Sequence, residues 1–439
     1  MKPYPTYKDS GIEWIGEIPE HWGNYKISRS FKLIGSGTTP KADNEKFYNN
    51  GDINWILTGD LKDNIINEST KKITQEALDK HSTLKIYPKN TLLIAMYGAT
   101  IGKVGILNIE ACTNQACCAL SQSDFFNIKF LYYWFVTNRN QIINLSYGGG
   151  QPNISQEIIK SLKISGPSLK EQNNIVSYLD DRVSQIDETI AKKEMLVELL
   201  EEERKAIINE AVTKGLNSNV KLKPSGIEWL GDIPEHWEIQ KLKYVVSQRL
   251  QYGANEPAED EDPDQPRYIR ITDFGDDGSL KDDTFRSLTY EKAKEFMLNE
   301  GDVLFARSGA TVGKTFHFKD YIGEACFAGY LIKASPDQNI LTSDWLYNYT
   351  KSSYYERWRN SVFIQATIQN IGADKYNFLP VTIAPIKEQK DIVLFLEKQN
   401  SRIDNTITKI QKEIELLKEY RQALIFEAVT GKIDVREYN

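Results

Sequence analysis

The sequence predicts an α/β (α+β) protein built by tandem duplication, in which a globular domain followed by a long helix occurs twice. Three observations carry that expectation. A helical run opening at Lys170-Glu171-Gln172 and closing at Glu210-Ala211-Val212-Thr213 returns 217 residues later as Lys387-Glu388-Gln389 and Glu427-Ala428-Val429-Thr430. The block SGIEWIGEIPEHW at 10–22 returns at 225–237, with Leu230 for Ile15 and Asp232 for Glu17. The stretches between block and helix, 23–169 and 238–386, are nearly equal at 147 and 149 residues. The expected divisions are a domain at 1–169 with its strap at 9–22, a helix at 170–216, a domain at 217–386 with the repeated strap at 225–237, a helix at 387–431, and a tail at 432–439.

Apolar positions in the first helix step by four and three through Leu179, Val183, Ile186, Ile190, Val197, Leu200, Ile207 and Ala211. The second steps likewise through Leu396, Ile403, Ile407, Ile410, Ile414, Leu417, Leu424 and Ala428. Such spacing is a heptad seam, on helices roughly 60 Å long at 1.5 Å per residue. Neither helix buries that stripe alone, so the two are expected to pack together as an intramolecular coiled coil. The interface residues are then Leu179, Ile186, Ile190, Val197, Leu200 and Ile207 against Leu396, Ile403, Ile407, Ile414, Leu417 and Leu424. Antiparallel pairing relates the repeats by a pseudo-two-fold axis.

Within the domains, each strap reads as a turn clamped by paired tryptophans, a structural feature where a globular unit meets a helix. The loop 35–41 precedes a strand-like 53–61, whose copy is 268–274. A buried strand at 91–95 runs into 96–103, and its copy 302–306 runs into 307–314. The segment Gly309-Ala310-Thr311-Val312-Gly313-Lys314-Thr315 invites comparison with a nucleotide-binding P-loop. It has three residues between the glycines where the motif requires four, and the first copy has Val104 after Lys103 where the motif requires a hydroxyl. A tight strand-to-strand turn is the better reading. The aromatic helices around Phe130-Leu131-Tyr132-Tyr133-Trp134 and Trp345-Leu346-Tyr347 read as core.

At 439 residues the chain exceeds one ordinary core. No apolar run approaches a membrane span, and no signal-peptide core opens the chain, so a cytoplasmic protein is expected. Cys112, Cys117, Cys118 and Cys326 are too unevenly placed for a disulfide framework or a zinc site, and read as buried, reduced thiols. Neither a catalytic metal nor any other catalytic group is expected. There is no adenine-methylation signature, no glycine-rich cofactor loop, no helicase motif and no supported Ser/His/Asp grouping. The net charge is −7, divided as +3 over 1–166, −4 over 167–219, −6 over 220–385 and 0 over 386–439. A nucleic acid would therefore be held weakly by this chain alone, with partners neutralising much of the phosphate charge. The acidic run 259–264 reads as a solvated loop.

Two similar heads without catalytic motifs favour a reader over an enzyme. The candidate readers are polar loop residues at matched places. In the first head they are Ser36, Thr38, Lys41, Thr58, Tyr97, Thr100, Lys103, Gln151 and Asn153. In the second they are Gln251, Tyr252, Arg270, Thr272, Arg307, Ser308, Lys314, Gln365, Thr367 and Gln369. Arginine bridges guanine O6 and N7, and Gln or Asn bridges adenine N6 and N7. Arg270 and Arg307 stand where the first head has Leu57 and Met96, as different base preferences on one scaffold require. A two-headed protein-binding scaffold is the alternative.

The duplicated SGIEWIGEIPEHW block, the WILTGDL and GATIGK segments, and the KEQ-led helices ending in EAVT together resemble the specificity subunits of type I restriction–modification systems. The resemblance spans essentially the whole chain. It implies two target recognition domains on an antiparallel coiled coil, each reading one half of a bipartite, asymmetric double-stranded DNA site. It also implies two methyltransferase subunits docked on the helices and restriction subunits joining that core. S-adenosylmethionine, ATP and Mg²⁺ would then belong to those partners, leaving this chain without a cofactor.

Overall fold

The computed structural model describes residues 2–145, 153–258, 260–275, 278–309, 311–364 and 370–438. They divide into two compact units, 1–194 with 412–439, and 195–411. Each unit holds one head and a stretch of both long helices.

The first unit is centred on a five-stranded sheet in the order Leu33–Gly35, Cys117–Ser121, Leu92–Ala95, Val104–Leu107, Asn64–Ile66. Neighbours run antiparallel except the last pair, which is parallel. Every residue of Cys117–Ser121, Leu92–Ala95 and Val104–Leu107 is buried, which is why their apolar runs do not alternate: both faces are covered. The helix Ile128–Thr137 packs against these strands and buries Phe130, Tyr133, Trp134 and Phe135. Asn127 caps it, its side-chain oxygen accepting the N–H groups of Lys129 and Phe130. Ile56, Leu61 and Tyr87 join Leu93 and Ala95 in a second cluster. Ile53–Ile56 pairs in parallel with Cys112–Thr113 and antiparallel with Lys71–Ile73.

The second unit repeats the frame. Its sheet runs Gln251–Tyr252, Leu331–Ala334, Val303–Ala306, Thr315–His317, and Arg267–Ile269 pairs in parallel with Ala325–Phe327. The aromatic helix is Ser343–Tyr349, capped by Thr342, with Trp345 and Leu346 fully buried.

The stretch expected to continue as strand beyond Ile56 bends instead. Thr58–Asp60 is a single 3₁₀ turn, closed where the Asp60 carboxylate accepts the Leu57 N–H at 2.9 Å. Ile271–Asp273 repeats it, with Asp273 accepting the Arg270 N–H at 2.7 Å. A side-chain acceptor at the third turn position competes with the sheet ladder and stops the strand.

Two helices run without a break, the central one over Leu169–Lys214 and the C-terminal one over Ile386–Val429. In the first unit they are antiparallel: Asp187 pairs with Arg421 at 2.8 Å and Lys193 with Glu413 at 2.5 Å, one number rising as the other falls. Leu179, Ile186 and Ile190 are buried there with Ile414 and Leu424, while Leu417 is half-buried. In the second unit Arg204 pairs with Asp404, the same pair 217 residues displaced, and Leu396, Ile403 and Ile407 are buried. Val197, Leu200 and Ile207 are only half-buried. Arg204 occupies the seam step between Leu200 and Ile207, and from Ile208 the central helix turns its apolar stripe into the head's own core with Ala211, Val212, Trp237 and Trp345.

The repeated Lys-Glu-Gln is a junction. Gln172 is fully buried: it accepts the Asn127 N–H at 2.8 Å and donates to the carbonyls of Phe125 and Pro167. Gln389 does the same with Thr342, Ile340 and Ala384. Glu171 meanwhile takes the Trp22 indole N–H at 3.1 Å, the Tyr4 hydroxyl at 2.8 Å and His21 Nε2 at 2.9 Å. The strap histidine and tryptophan therefore lock strap to helix, as a structural reading of that block requires.

Candidate nucleic-acid interface

In each head one backbone hub gathers the loops. Asn114 N–H bonds Ile56 O at 3.0 Å, Met96 N–H bonds Ala116 O at 2.8 Å, and Gly37 N–H reaches Asn114 O at 3.2 Å. The second head repeats the first two, Ala328 N–H to Ile269 O at 2.9 Å and Arg307 N–H to Tyr330 O at 3.0 Å, while its third contact runs between the neighbouring residues, Ala254 N–H to Phe327 O at 2.8 Å. Gly37 and Gly253 mark the closest approach, since a Cβ would lie 1.7 Å from Thr113 O in one and 2.3 Å from Phe327 O in the other. The loop after each central strand is a tight hairpin turn. Gly102 N–H bonds Ala95 O, and Gly313 N–H bonds Ala306 O, both at 2.8 Å, and the chain continues into a strand. A phosphate-cradling P-loop would lead into a helix.

The last repeated feature of the frame pins this hairpin. Ile154 N–H bonds Met96 O at 2.8 Å with Tyr97 bridged to Asn153, and Ile371 N–H bonds Arg307 O at 2.9 Å with Ser308 bridged to Asn370. The frames thus correspond residue by residue, and they define pairs: Ser36 with Tyr252, Leu57 with Arg270, Met96 with Arg307, Asn114 with Ala328, Gln115 with Gly329, Ala116 with Tyr330.

What those pairs present differs. In the second head the Arg307 guanidinium lies 4.9 Å from the Tyr252 ring centre, and Tyr330 is 64% exposed. Tyr252 is held from behind, its hydroxyl accepting the Ala373 N–H at 2.8 Å. In the first head the same places carry small or apolar side chains, and the polar groups are amides. Gln115 is exposed, its carbonyl oxygen accepting the Thr39 hydroxyl at 2.7 Å.

A family model described as the type I restriction modification DNA specificity domain matches residues 19–198 and 234–416. The chain belongs to this type I DNA specificity family. Among curated relatives it is 25% identical to the MjaIX specificity subunit of Methanocaldococcus jannaschii, over 96% of each chain. It is 22% identical to the EcoKI specificity subunit of Escherichia coli K12, over 95% of this chain and 90% of that one. The fold matches a chain solved in work on assembly and conformational transition of the type I R-M system, with TM-score 0.75, 16% identity, and 95% and 99% of the two chains covered. It also matches HsdS of Thermoanaerobacter tengcongensis, with TM-score 0.57, 16% identity, and 97% and 100% covered. Membership places the chain with specificity subunits rather than with catalytic ones.

Seen as a specificity-family head, the first unit brings together Ser36, Thr38, Thr58, Tyr97 and Asn153 around the hub, with Lys41 exposed on the same loop as Ser36. Thr100 and Lys103 are half-buried at the hairpin turn, beside Arg139, whose Nε donates to Gly102 O at 3.0 Å. In the second unit Tyr252, Arg307 and Ser308 cluster. Arg270 and Thr272 line a hollow of about 300 Å³ with Tyr330 and Ala328. The Arg270 guanidinium is engaged internally, donating to the fully buried Asp273 carboxylate at 2.6 Å and to Thr284 O at 2.9 Å. Gln251 turns its amide to Glu295 O at 2.6 Å. Lys314 lines a separate hollow of about 680 Å³ with Lys351 and Arg359. Gln151, Gln365, Thr367 and Gln369 lie outside the described residues. Tyr330, Asn114 and Gln115 escaped sequence reasoning. Their one signal was the repeated Glu-Ala-Cys at 110–112 and 324–326, which sets the frame two to four residues before them.

Among the described residues no group of three or more His, Cys, Asp or Glu side chains is arranged to hold a metal ion. Among the same residues no helix is long and apolar enough to cross a membrane.

Proposed function

We propose that this chain is the DNA-reading subunit of a type I restriction–modification assembly. Residues 1–169 and 217–386 act as target recognition domains, each reading one half of a bipartite, asymmetric site. The paired helices set the non-specific spacer and carry methyltransferase subunits, with restriction subunits joining in the full complex. S-adenosylmethionine, ATP and Mg²⁺ are held by those partners, in the cytoplasm.

The observation that carries this reading is the contrast between frame and surface. Two hub bonds, the hairpin and the three bonds of the buried junction glutamine repeat in both units, while Ser36/Tyr252, Met96/Arg307 and Ala116/Tyr330 differ in size, charge and hydrogen bonding. One scaffold presenting two chemistries is what reading two unlike half-sites requires, because base edges differ in their donors and acceptors. The test is single-molecule methylation mapping of genomic DNA from cells with and without this gene, its methyltransferase partner being present in both. A gene-dependent adenine mark on one split motif supports the reading. No such mark, with the partner shown to be active, transfers the function to a protein-binding scaffold.

A further inference from the structure

The second head is acidic as a whole, at −6 over 220–385, yet the hollow of about 680 Å³ beside its hairpin is lined mainly by cations. Arg204, Lys205, Lys314, Lys351 and Arg359 face three carboxylates, Glu201, Glu356 and Asp404. Arg204 takes two of these, pairing with Asp404 and lying 3.4 Å from Glu201. Lys205, Lys351 and Arg359 form no ion pair among the described residues. Lys351 Nζ donates to Thr315 O at 3.3 Å, and Arg359 reaches the amide oxygen of its neighbour Asn360 at 3.5 Å. Desolvation there, with the Lys314 charge nearby, pushes the Lys351 amine down to about 8. Like charges gathered in a partly dry hollow repel one another, and a bound anion offsets that cost.

The hollow adjoins the reading surface through the hairpin. Ala306 N–H bonds Lys314 O and Gly313 N–H bonds Ala306 O, both at 2.8 Å, so Lys314 stands across from the residue preceding Arg307. Arg307 and Lys314 thus project from the two legs of one turn. Gly313 has φ +81°, and a Cβ on it would lie 2.2 Å from Arg359 Cδ. The missing side chain lets the arginine stem cross the turn. Tyr355 holds the turn from behind, its hydroxyl donating to Gly313 O at 2.9 Å.

The first unit builds the same turn with its arginine neutralised. Arg139 crosses Gly102 in the same manner and pairs with Asp63 at 2.5 Å. Counted from the equivalent helix caps, Asn127 and Thr342, Val136 takes the place of Lys351. Gln422, 217 positions on, takes the place of Lys205.

We propose that the hollow of the second unit clamps one backbone phosphate of the DNA beside the second half-site. Lys351 and Arg359 are its main donors, and Lys205 and Lys314 complete the positive rim. The inference rests on the DNA-reading function and adds to it a contact that fixes position without reading sequence. A forked guanidinium beside an ammonium suits the oxygens of a phosphate. The clamp gives an acidic head its own hold on the backbone.

The test uses the complex of this chain with its methyltransferase partner, titrated with a duplex carrying the methylated motif at several salt concentrations. Lys351→Gln combined with Arg359→Gln should weaken binding by about tenfold and reduce the salt slope by about one, the value for one phosphate contact. Methylation mapping should return the same motif. Lys351→Arg combined with Arg359→Lys, which keeps both charges, should recover most of the loss, and thermal melts check that each variant is folded. Uncharged methylphosphonates placed singly along the duplex then locate the contact. One position beside the second half-site should weaken the wild type and leave the glutamine variant unaffected. A folded glutamine variant with wild-type affinity and slope overturns the clamp and leaves the reading function standing. The clamp is equally overturned if every methylphosphonate weakens both proteins alike, or if the substitutions abolish binding of inorganic phosphate alone and spare DNA. Absence of motif-specific binding by the wild-type complex overturns the reading function and the clamp with it.

Discussion

Gln389 Oε1 accepts the backbone N–H of Thr342 at 2.9 Å, while its amide nitrogen donates to the carbonyls of Ile340 and Ala384 at 2.8 Å each. One fully buried side chain thus satisfies three backbone groups and fixes where the C-terminal helix leaves the second head. Gln172 holds the first head by the same three bonds. Side-chain atoms can meet this demand only if both donor and acceptor are present on one planar group, which an amide supplies.

Gln389→Leu should therefore destabilise the protein by about 3 kcal/mol or more, because each unsatisfied buried group costs about 1–3 kcal/mol. Gln389→Glu, which keeps the acceptor and loses the donor, should fall between leucine and wild type. Urea unfolding of the second unit's tryptophan signal measures both. A loss below about 1 kcal/mol for leucine would mean that the junction is not held by this side chain.

The two straps should respond unequally to loss of their glutamates. Glu171 is 8% exposed and takes the hydrogen of the fully buried Trp22 indole, so Glu171→Ala should cost about 1–3 kcal/mol. Glu388 meets His236 at 2.8 Å with both side chains partly in water, and Glu388→Ala should stay within about 1 kcal/mol. Parallel thermal melts of the two variants decide this, and equal losses would remove the distinction.

Exchanging Arg307 and Met96 tests the reading surfaces. Arg307→Met should relax or change one half of the methylated motif and leave the other half intact, since a good bidentate base contact discriminates by about 1–3 kcal/mol. Met96→Arg should affect only the opposite half. Methylation mapping reads both outcomes together. A change in both halves from either substitution would show that these residues act through stability.

Four residues inserted near Leu199 in the central helix should rotate the downstream part of that helix by about 40° and advance it by about 6 Å. The methylated motif should then change its spacer or disappear, its two halves keeping their bases. An unchanged spacer would show that the helices do not set it.

The cysteines give a pH prediction. Burial pushes the Cys112 thiol up to about 11 and those of Cys118 and Cys326 up to about 12, and raises Cys117 further. Unfolded thiols lose their protons near pH 8.5 while the folded ones keep them. Their stabilising contribution is therefore complete below about pH 8.5 and is lost as pH rises towards 11 to 12. Iodoacetamide at about pH 8, just under that unfolded-thiol value, should leave all four unmodified in the native protein and modify all four in urea, as mass spectrometry would show. Native alkylation of Cys117 or Cys118 would contradict their burial.

The duplication, the long helices and the family were legible because each leaves a periodic or repeated mark in one dimension. Buried strands such as Leu92–Ala95 and the aromatic helix Ile128–Thr137 were legible for the same reason, as unbroken or helically spaced apolar runs. The half-burial of Val197, Leu200 and Ile207 was not. At Ile207 the central helix exchanges its partner helix for the head's core, a choice made by packing that heptad counting does not contain. The engagement of Arg270 with Asp273 was equally hidden, since three residues of separation place two side chains together only once the chain turns there.

By itself the sequence determined which segments repeat, which runs must be buried and which family the chain joins, because hydrophobic period and residue identity are properties of the chain. Only the tertiary structure decided which polar groups share a surface. Tyr252, Arg307 and Tyr330 are far apart in the chain, and it is the backbone hub at 327–330, accepting and donating hydrogen bonds across three loops, that brings them to one place.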